Sequence, residues 1–352
     1  MRETGKKPHD SASVDLLSLA ECVDRFEGKR VVVLGDFVAD SFQSGDITRV
    51  SREAPVLILR HRQTEIVPGG GANAANNFAA LGARVVPLSI VGDDSPGGSL
   101  IDYFRHKKVD VSGILRVKGR TTPTKTRFLA GWTHTVAQQV LRVDYEPATP
   151  PADSDLHKIQ SLAQAKIKSA DAFAISDYGF GVVTPASIRA VTAALKRDIP
   201  VSLDSRYQLT AYRRAAITNA TPNEAELEAL HHTSIGRDKL ALERCGRATL
   251  KEMKLRSLVV TRGKDGMALF EPDRSTVHLS VHGSNQAVDV TGAGDTVLAA
   301  YTLALASGAS AIEAAHIANI AGGLVVMKRG TATISRDELL SAIRAAASET
   351  TS

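Results

Sequence analysis

The run Val288-Asp289-Val290-Thr291-Gly292-Ala293-Gly294-Asp295 carries the sharpest chemical signal in the chain, and an apolar helical segment follows it directly. Glycines at a helix start let the backbone approach a ligand, and the unpaired N–H groups there form a nest for an anion. A carboxylate inside such a nest is electrostatically awkward unless it works as a base. Asp295 can take the proton of a hydroxyl while the amides of Gly292, Ala293 and Gly294 hold phosphoryl oxygens that gain charge. A plain turn with an acidic helix start is the simpler account of the same residues.

Other segments add to this chemistry. Gly35-Asp36 and Asp40 follow the apolar run 31–34, where the carboxyl end of a sheet opens into a crevice and carboxylates suit sugar hydroxyls. Pro68-Gly69-Gly70-Gly71-Ala72-Asn73 opens a helix, and Asn73 can donate and accept towards a polyol. Neither a G-x-G-x-x-G fingerprint nor a G-x-x-x-x-G-K-[ST] loop is present, which excludes Rossmann and P-loop logic. Thr221-Pro222-Asn223-Glu224-Ala225-Glu226 puts Asn223 and Glu226 on one helical face, able to hold a hydrated Mg²⁺ or simply to start a helix. Residues 258–266, with Thr261-Arg262-Gly263 in the middle, predict a strand, a tight turn and a second strand.

The elements that must hold these residues alternate. β-branched runs at 31–34, 85–91, 172–175, 201–203, 216–219 and 258–261 predict strands; helical spacing marks 72–81, 184–196, 294–306, 311–327 and 336–347. Continuous apolar strands alternating with helices predict a doubly wound, mostly parallel α/β sheet with helices on both faces. Segments 45–63 and 124–145 read as strands without helices and predict a small β-lid, taken as about 42–63 and 119–145. Residues 28–347 then form one large domain, with 1–27 an extension and 348–352 a tail; the ends, about 1–12 and 348–352, should be loose.

The 352 residues are 43% hydrophobic and 23% charged, as in an ordinary globular protein. No apolar stretch approaches the roughly 18–20 residues that span a bilayer, and the N-terminus lacks the apolar middle of a secretory signal. Cys22 and Cys245 predict two reduced thiols and a cytoplasmic setting. The net charge of +5 suits phosphate esters as ligands, and the basic run at 105–108 has no interleaved aromatics, which gives no reason to expect nucleic acid. A lone His316 on an apolar helix is read as core.

Taken together, Gly69-Gly70…Asn73, Asn223…Glu226, Thr261-Arg262-Gly263 and D-x-T-G-A-G-D, in this order, resemble the ribokinase-like (PfkB) carbohydrate kinases over about residues 30–346. The resemblance implies transfer of the γ-phosphoryl group of ATP to a sugar hydroxyl beneath the lid. Within the family, Thr48-Arg49-Val50-Ser51-Arg52-Glu53-Ala54-Pro55, Leu141-Arg142-Val143-Asp144, Ser176-Asp177-Tyr178…Gly181 and Gly330-Thr331-Ala332-Thr333 look most like kinases of D-glycero-β-D-manno-heptose 7-phosphate, whose acceptor is the anomeric hydroxyl.

By that resemblance Asp295 is the base, and Gly292, Ala293 and Gly294 form the anion hole. Asn223, Glu224, Ala225, Glu226, Thr261, Arg262, Gly263 and Asn319 contact ATP, with Glu226 near Mg²⁺ through water. Asp289, Thr291 and Gly330 match a monovalent-cation (K⁺) site. Asp36, Asp40, Gly69, Gly70, Asn73, Lys125, Arg127 and Asp177 face the sugar, with Lys125 or Arg127 at its distal phosphate. The resemblance also implies a lid-paired homodimer, with neither nucleic acid nor membrane as partner.

Three departures from the heptose-kinase pattern are Arg52 in place of a proline, Asp204-Ser205-Arg206 in place of D-P-K, and extra residues after Arg127 that include Trp132 and His134. The last of these falls in the lid, where acceptor choice is made. A kinase of another sugar, sugar phosphate or nucleoside shares every other motif, and a non-catalytic sugar-phosphate binder is the alternative from a different class.

Overall fold

Val31, Val32, Val33 and Leu34 are all buried, and they face alternately into two separate apolar cores. A strand with no wet face must have helices on both sides. The computed structural model describes residues 14–132, 137–283 and 287–350 and shows that arrangement. The expectations for residues 1–12, His134 and 351–352 lie outside the described residues.

In chain order the first half contains α1 (Leu16–Asp24), β1 (Arg30–Gly35), β2 (Phe37–Val50), β3 (Leu57–Gly70), α2 (Gly71–Ala80), β4 (Arg84–Gly92), α3 (Ser95–His106), β5 (Ile114–Val117), β6 (Thr124–Gly131), β7 (Gln138–Tyr145) and α4 (Asp153–Lys166). The second half adds β8 (Ala172–Asp177), α5 (Pro185–Thr192), β9 (Val201–Ser205), β10 (Asn219–Ala220), α6 (Glu224–His231), α7 (Lys239–Met253), β11 (Ser257–Thr261), β12 (Met267–Phe270) and β13 (Val277–Leu279). Then come α8 (Ala293–Ala306), α9 (Ala311–Val325) and α10 (Arg336–Thr350).

The main sheet runs β13-β12-β11-β10-β9-β8-β1-β4-β5, parallel from β11 to β5 and antiparallel only at the β12 and β13 edge. Helices α1, α2, α3, α8, α9 and α10 cover one face, and α4 to α7 supply the other. The strand order reverses beside β1, so the carboxyl ends of β1, β8 and β9 border a crevice. A second sheet, β3-β2-β6-β7, forms the lid, with β2 and β6 parallel and the outer pairs antiparallel.

Three elements differ from the sequence reading. Residues 14–27 belong to the main domain rather than to an extension of it: Leu19, Val23 and Phe26 are fully buried in the main core. Helix α5 ends at Thr192, whose hydroxyl bonds back to the Ile188 carbonyl, four residues short of the expected end. Strand β10 begins at Asn219 rather than 216 and keeps only two residues.

Candidate active site

Asp295 lies in the first turn of α8 and is 2% exposed. Asn73 Nδ2 donates to its Oδ2 at 2.8 Å, and the Tyr178 hydroxyl donates to Oδ1 and Oδ2 at 3.3 and 3.5 Å. Burial pushes the carboxyl up to about 7, against the pull of these two donors. Asn73 is held in turn: its Oδ1 accepts from Asn77 Nδ2 at 3.2 Å, and Thr296 Oγ1 donates to Asn77 Oδ1 at 2.7 Å. Both polar ends of the Asn73 side chain are therefore engaged within the protein. Asn73 orients the carboxylate, where the sequence suggested that it faces a polyol.

The helix start supplies the anion nest. Gly292 has φ 78°, no side chain caps α8, and first-turn amides such as that of Gly294 have no helical acceptor. The Ala293 amide is already used, donating to the Val290 carbonyl at 3.3 Å, which removes it from the expected set. A Cβ on Gly292 would sit 2.5 Å from Asn73 Nδ2, whereas one on Gly294 would meet nothing within 4 Å.

Two hollows share Asp295 as a wall residue, and a third adjoins the second of them through Asn223, Thr261, Val290 and Gly294. The acceptor hollow, about 200 Å³, lies under the lid sheet. Lys125, Arg127, Arg142 and Arg206 line it, a cationic set of which only Lys125 and Arg127 were assigned a role from sequence. Asp40 also lines it, pairing with Arg127 at 2.6 Å and accepting from the Thr331 hydroxyl at 2.9 Å. Gly70 forms part of the wall, and Gly69 lies so close to Asp40 that a Cβ there would be 2.6 Å from its Oδ2.

Two expected acceptor ligands are placed otherwise. Asp36 is fully buried and accepts the backbone N–H groups of Tyr178, Phe180 and Val182 at 3.0, 3.0 and 2.9 Å. It clamps the turn after β8; burial, then Asp177, pushes its carboxyl up to about 6. Asp177 accepts from Ser205 and Tyr212 hydroxyls at 2.8 and 2.7 Å and from the Gly179 N–H at 3.0 Å, joining β8 to the segment after β9. Strand-end position alone does not separate these two from Asp40, because all three are carboxylates near a crevice.

The middle hollow, about 290 Å³, is lined by Asp204, Glu226, Thr221, Arg206 and Asp295 among others. Burial, then Glu226 and Asp295, pushes Asp204 well up; burial likewise raises Glu226. The Thr221 hydroxyl there is buried and has no hydrogen-bond partner among the described residues. Asn223 and Glu226 form a reciprocal cap, the Asn223 oxygen accepting the Glu226 N–H at 2.8 Å and Glu226 Oε2 accepting the Asn223 N–H at 2.9 Å. They start a helix and face the crevice at once, so the two readings of this motif are compatible.

The third hollow, about 400 Å³, is mostly apolar, with Met267, Val281, Val297 and Val326 on its walls beside Asn223, Thr261, Gly263 and Asn319. Asn319 donates to the Ser280 carbonyl at 2.7 Å. Glu224 and Arg262 do not line this cleft: they pair with each other, and Arg262 also donates to the Gly236 carbonyl at 2.8 Å. Ala225 is exposed and likewise off its walls.

Asp289, Thr291 and Gly330 do converge. Asp289 accepts the amides of Thr291 and Gly330, each at 2.9 Å. Burial opposes its charge, but those bonds and Arg127 hold its carboxyl below the ordinary range.

A family model described as pfkB family carbohydrate kinase matches residues 29–338. The chain belongs to the pfkB carbohydrate kinases. Members of this family are phosphotransferases with an alcohol group as acceptor. Among curated proteins this pfkB kinase chain is 41% identical over 311 residues to the bifunctional protein HldE of Geobacter metallireducens, covering 88% of this chain and 62% of that protein. It is 36% identical over 328 residues to HldE of Mesorhizobium japonicum, covering 92% and 64%. The chain thus spans a little under two thirds of the length of these relatives. Among solved structures it resembles phosphofructokinase-2 of Escherichia coli in complex with potassium (TM-score 0.73, 20% identity, 92% of this chain and 99% of that one). The ribokinase of Arabidopsis thaliana complexed with ribose and ATP is similar too (TM-score 0.70, 21% identity, 90% and 99%). These likenesses establish the ribokinase-like fold.

The site residues that sequence reasoning left without a role are Tyr178, Arg206, Arg142, Thr331 and Asn77. A polar residue just past a parallel strand's carboxyl end was the available signal for Tyr178 and Arg206. Arg142 lies in the Leu141–Asp144 motif of the resemblance, but that motif gives it no role, and only the folded lid and helix α2 bring Arg142 and Asn77 to the site.

Proposed function

We propose that the chain is an ATP-dependent sugar kinase whose acceptor is a sugar phosphate. The favoured acceptor is the anomeric hydroxyl of D-glycero-β-D-manno-heptose 7-phosphate, giving the 1,7-bisphosphate for ADP-heptose and lipopolysaccharide precursor synthesis. The observation that carries the kinase reading is the position of Asp295, a buried carboxyl near 7 at the wall between a cationic hollow and the crevice that leads to the apolar cleft. The apolar cleft with Asn319 suits a purine, and the uncapped start of α8 suits phosphoryl oxygens. Lys125, Arg127 and Arg142 in the acceptor hollow support an acceptor that already bears a phosphate. The heptose itself rests on the sequence resemblance and on similarity to the HldE proteins.

Glu226, with Asp204 near it, would hold Mg²⁺ through water, since burial and mutual repulsion disfavour their negative charge until a cation is present. Among the described residues no three His, Cys, Asp or Glu side chains cluster as a metal cage. Held at Glu226, Mg²⁺ would supply neutralisation of phosphate charge. Asp289, Thr291 and Gly330 would hold a monovalent cation such as K⁺.

In the reaction Asp295 accepts the proton of the attacking hydroxyl, Asn73 and Tyr178 fix the carboxylate, and the amides of Gly292 and Gly294 receive charge on the transferred group. Exposed Val56, Val140, Leu141 and Tyr145 on the lid support a homodimer paired through that sheet. ATP use and two free buried thiols support a cytoplasmic setting.

Phosphorus NMR of a panel of free and phosphorylated sugars with MgATP tests the reading. A new anomeric phosphate on heptose 7-phosphate is expected. A phosphate on another sugar would replace the acceptor, and ligand binding without turnover would remove the kinase assignment.

A further inference from the structure

The walls of the acceptor hollow and the middle hollow have four residues in common, Tyr178, Arg206, Gly292 and Asp295. On the kinase reading above, on which this inference rests, the phosphoryl group must cross at that shared wall. Asp295 is the base, Tyr178 its hydrogen-bond donor and Gly292 part of the amide nest. Arg206 is left, and it is the one cationic side chain lining the middle hollow among the described residues.

Arg206 is free to act. It follows β9, where its backbone N–H donates to the Asp177 carbonyl at 3.1 Å. Its guanidinium lies over the Tyr207 ring at 5.6 Å and closes no ion pair or side-chain hydrogen bond among the described residues. The other two arginines of the acceptor hollow are already engaged: Arg127 with Asp40 at 2.6 Å and Arg142 with Asp144 at 2.9 Å. Arg206 nonetheless lines both hollows, with Asp204 and Glu226 on the walls of one and Lys125 on the walls of the other. Four carboxylates, Asp177, Asp204, Glu226 and Asp295, line the space where a polyanion must react. A fork of donors at their midst offsets that repulsion best when charge spreads over the equatorial oxygens in flight.

We propose that Arg206 is a catalytic residue, an arginine supplied by the chain itself that grips the phosphoryl group during transfer rather than the acceptor's own phosphate. As the acceptor oxygen forms its bond to phosphorus, the bond from phosphorus to the bridging oxygen of the nucleoside diphosphate breaks. The electron pair leaves with that oxygen, the hydroxyl proton passes to Asp295, and Arg206 holds the equatorial oxygens.

The test separates ground state from transition state in the full chain. Arg206→Met is expected to lower kcat about 10³-fold with acceptor and ATP KM nearly unchanged. By calorimetry it should bind MgADP as wild type does but lose roughly 100-fold in affinity for MgADP with aluminium fluoride, a mimic of the group in transit. Arg206→Lys should recover part of both losses. Arg206 is exposed, so both variants should fold, and equal melting temperatures check this. Arg142→Met, in contrast, should raise acceptor KM and spare kcat. A raised acceptor KM with intact kcat for Arg206→Met, or equal affinity losses with and without aluminium fluoride, overturns the inference while the kinase reading stands. A wild-type chain that transfers no phosphoryl group to any sugar overturns both.

Discussion

Asp295 combines two properties that pull against each other: burial disfavours its charge, and Asn73 and Tyr178 donate to the charged form. The outcome, a carboxyl near 7 rather than 3.8, suits a base that must take a proton at neutral pH. Between those two values the native state holds more protons than the unfolded chain, so this group makes stability fall as pH rises towards 7. Asp295→Asn removes that cost. Its melting temperature at pH 8 should exceed that of wild type by an amount that shrinks towards pH 4, while kcat falls about 10²–10⁴-fold. An unchanged rate would remove the residue from its role. Tyr178→Phe deletes a donor to the ionised form, so the ascending limb of kcat/KM against pH should move to higher pH, read from a full pH profile. The D-x-T-G-A-G-D spacing identifies Asp295 in the chain, but its donors lie 222 and 117 residues away and no local pattern links them.

Helix α8 presents its amides to the crevice because Gly292 takes a left-handed conformation and leaves the first turn uncapped. Gly292→Ala meets both a strained φ, costing about 1–2 kcal/mol, and a collision at 2.5 Å with the amide that orients Asp295. Loss of both stability and activity is expected. Gly294→Ala adds a methyl where no protein atom lies within 4 Å, so its melting temperature should match wild type while the KM for ATP or the kcat suffers. Equal melting losses in the two variants, by calorimetry, would contradict this division. The strands of the main sheet are legible as β-branched runs because both their faces are dry. Two-residue β10 is not, since so short a strand depends on its neighbours β9 and β11.

Two apolar cores and a lid share the molecule unequally. The face covered by α1 and α10 closes with Phe26, which is fully buried. Phe26→Ala should cost about 3–5 kcal/mol and lower the melting temperature markedly, as a removable extension would not. The lid instead shows apolar side chains to solvent, Leu141 at 55% exposure among them. If two lids pair, Leu141→Lys should convert a dimer to a monomer in sedimentation velocity; a wild-type monomer would end that proposal. No helix among the described residues is long and apolar enough to cross a membrane.

What the order of residues determined alone is the set of local motifs: apolar runs, the glycine-rich helix starts, the reciprocal Asn223–Glu226 cap and Asp295 beside the first amides of its helix. Each of these depends on neighbours a few positions apart, which backbone sterics and hydrogen bonding read directly. Tertiary structure decided which carboxylates work and which merely hold the fold. Asp36 and Asp177 look like Asp40 along the chain, yet their oxygens are taken by backbone amides and hydroxyls that arrive only when β8, β9 and the following turns meet. It also decided that Arg142 on the lid sheet and Arg206 just past β9 of the main sheet share one hollow with Asp295, because charge acts through space and not along the chain.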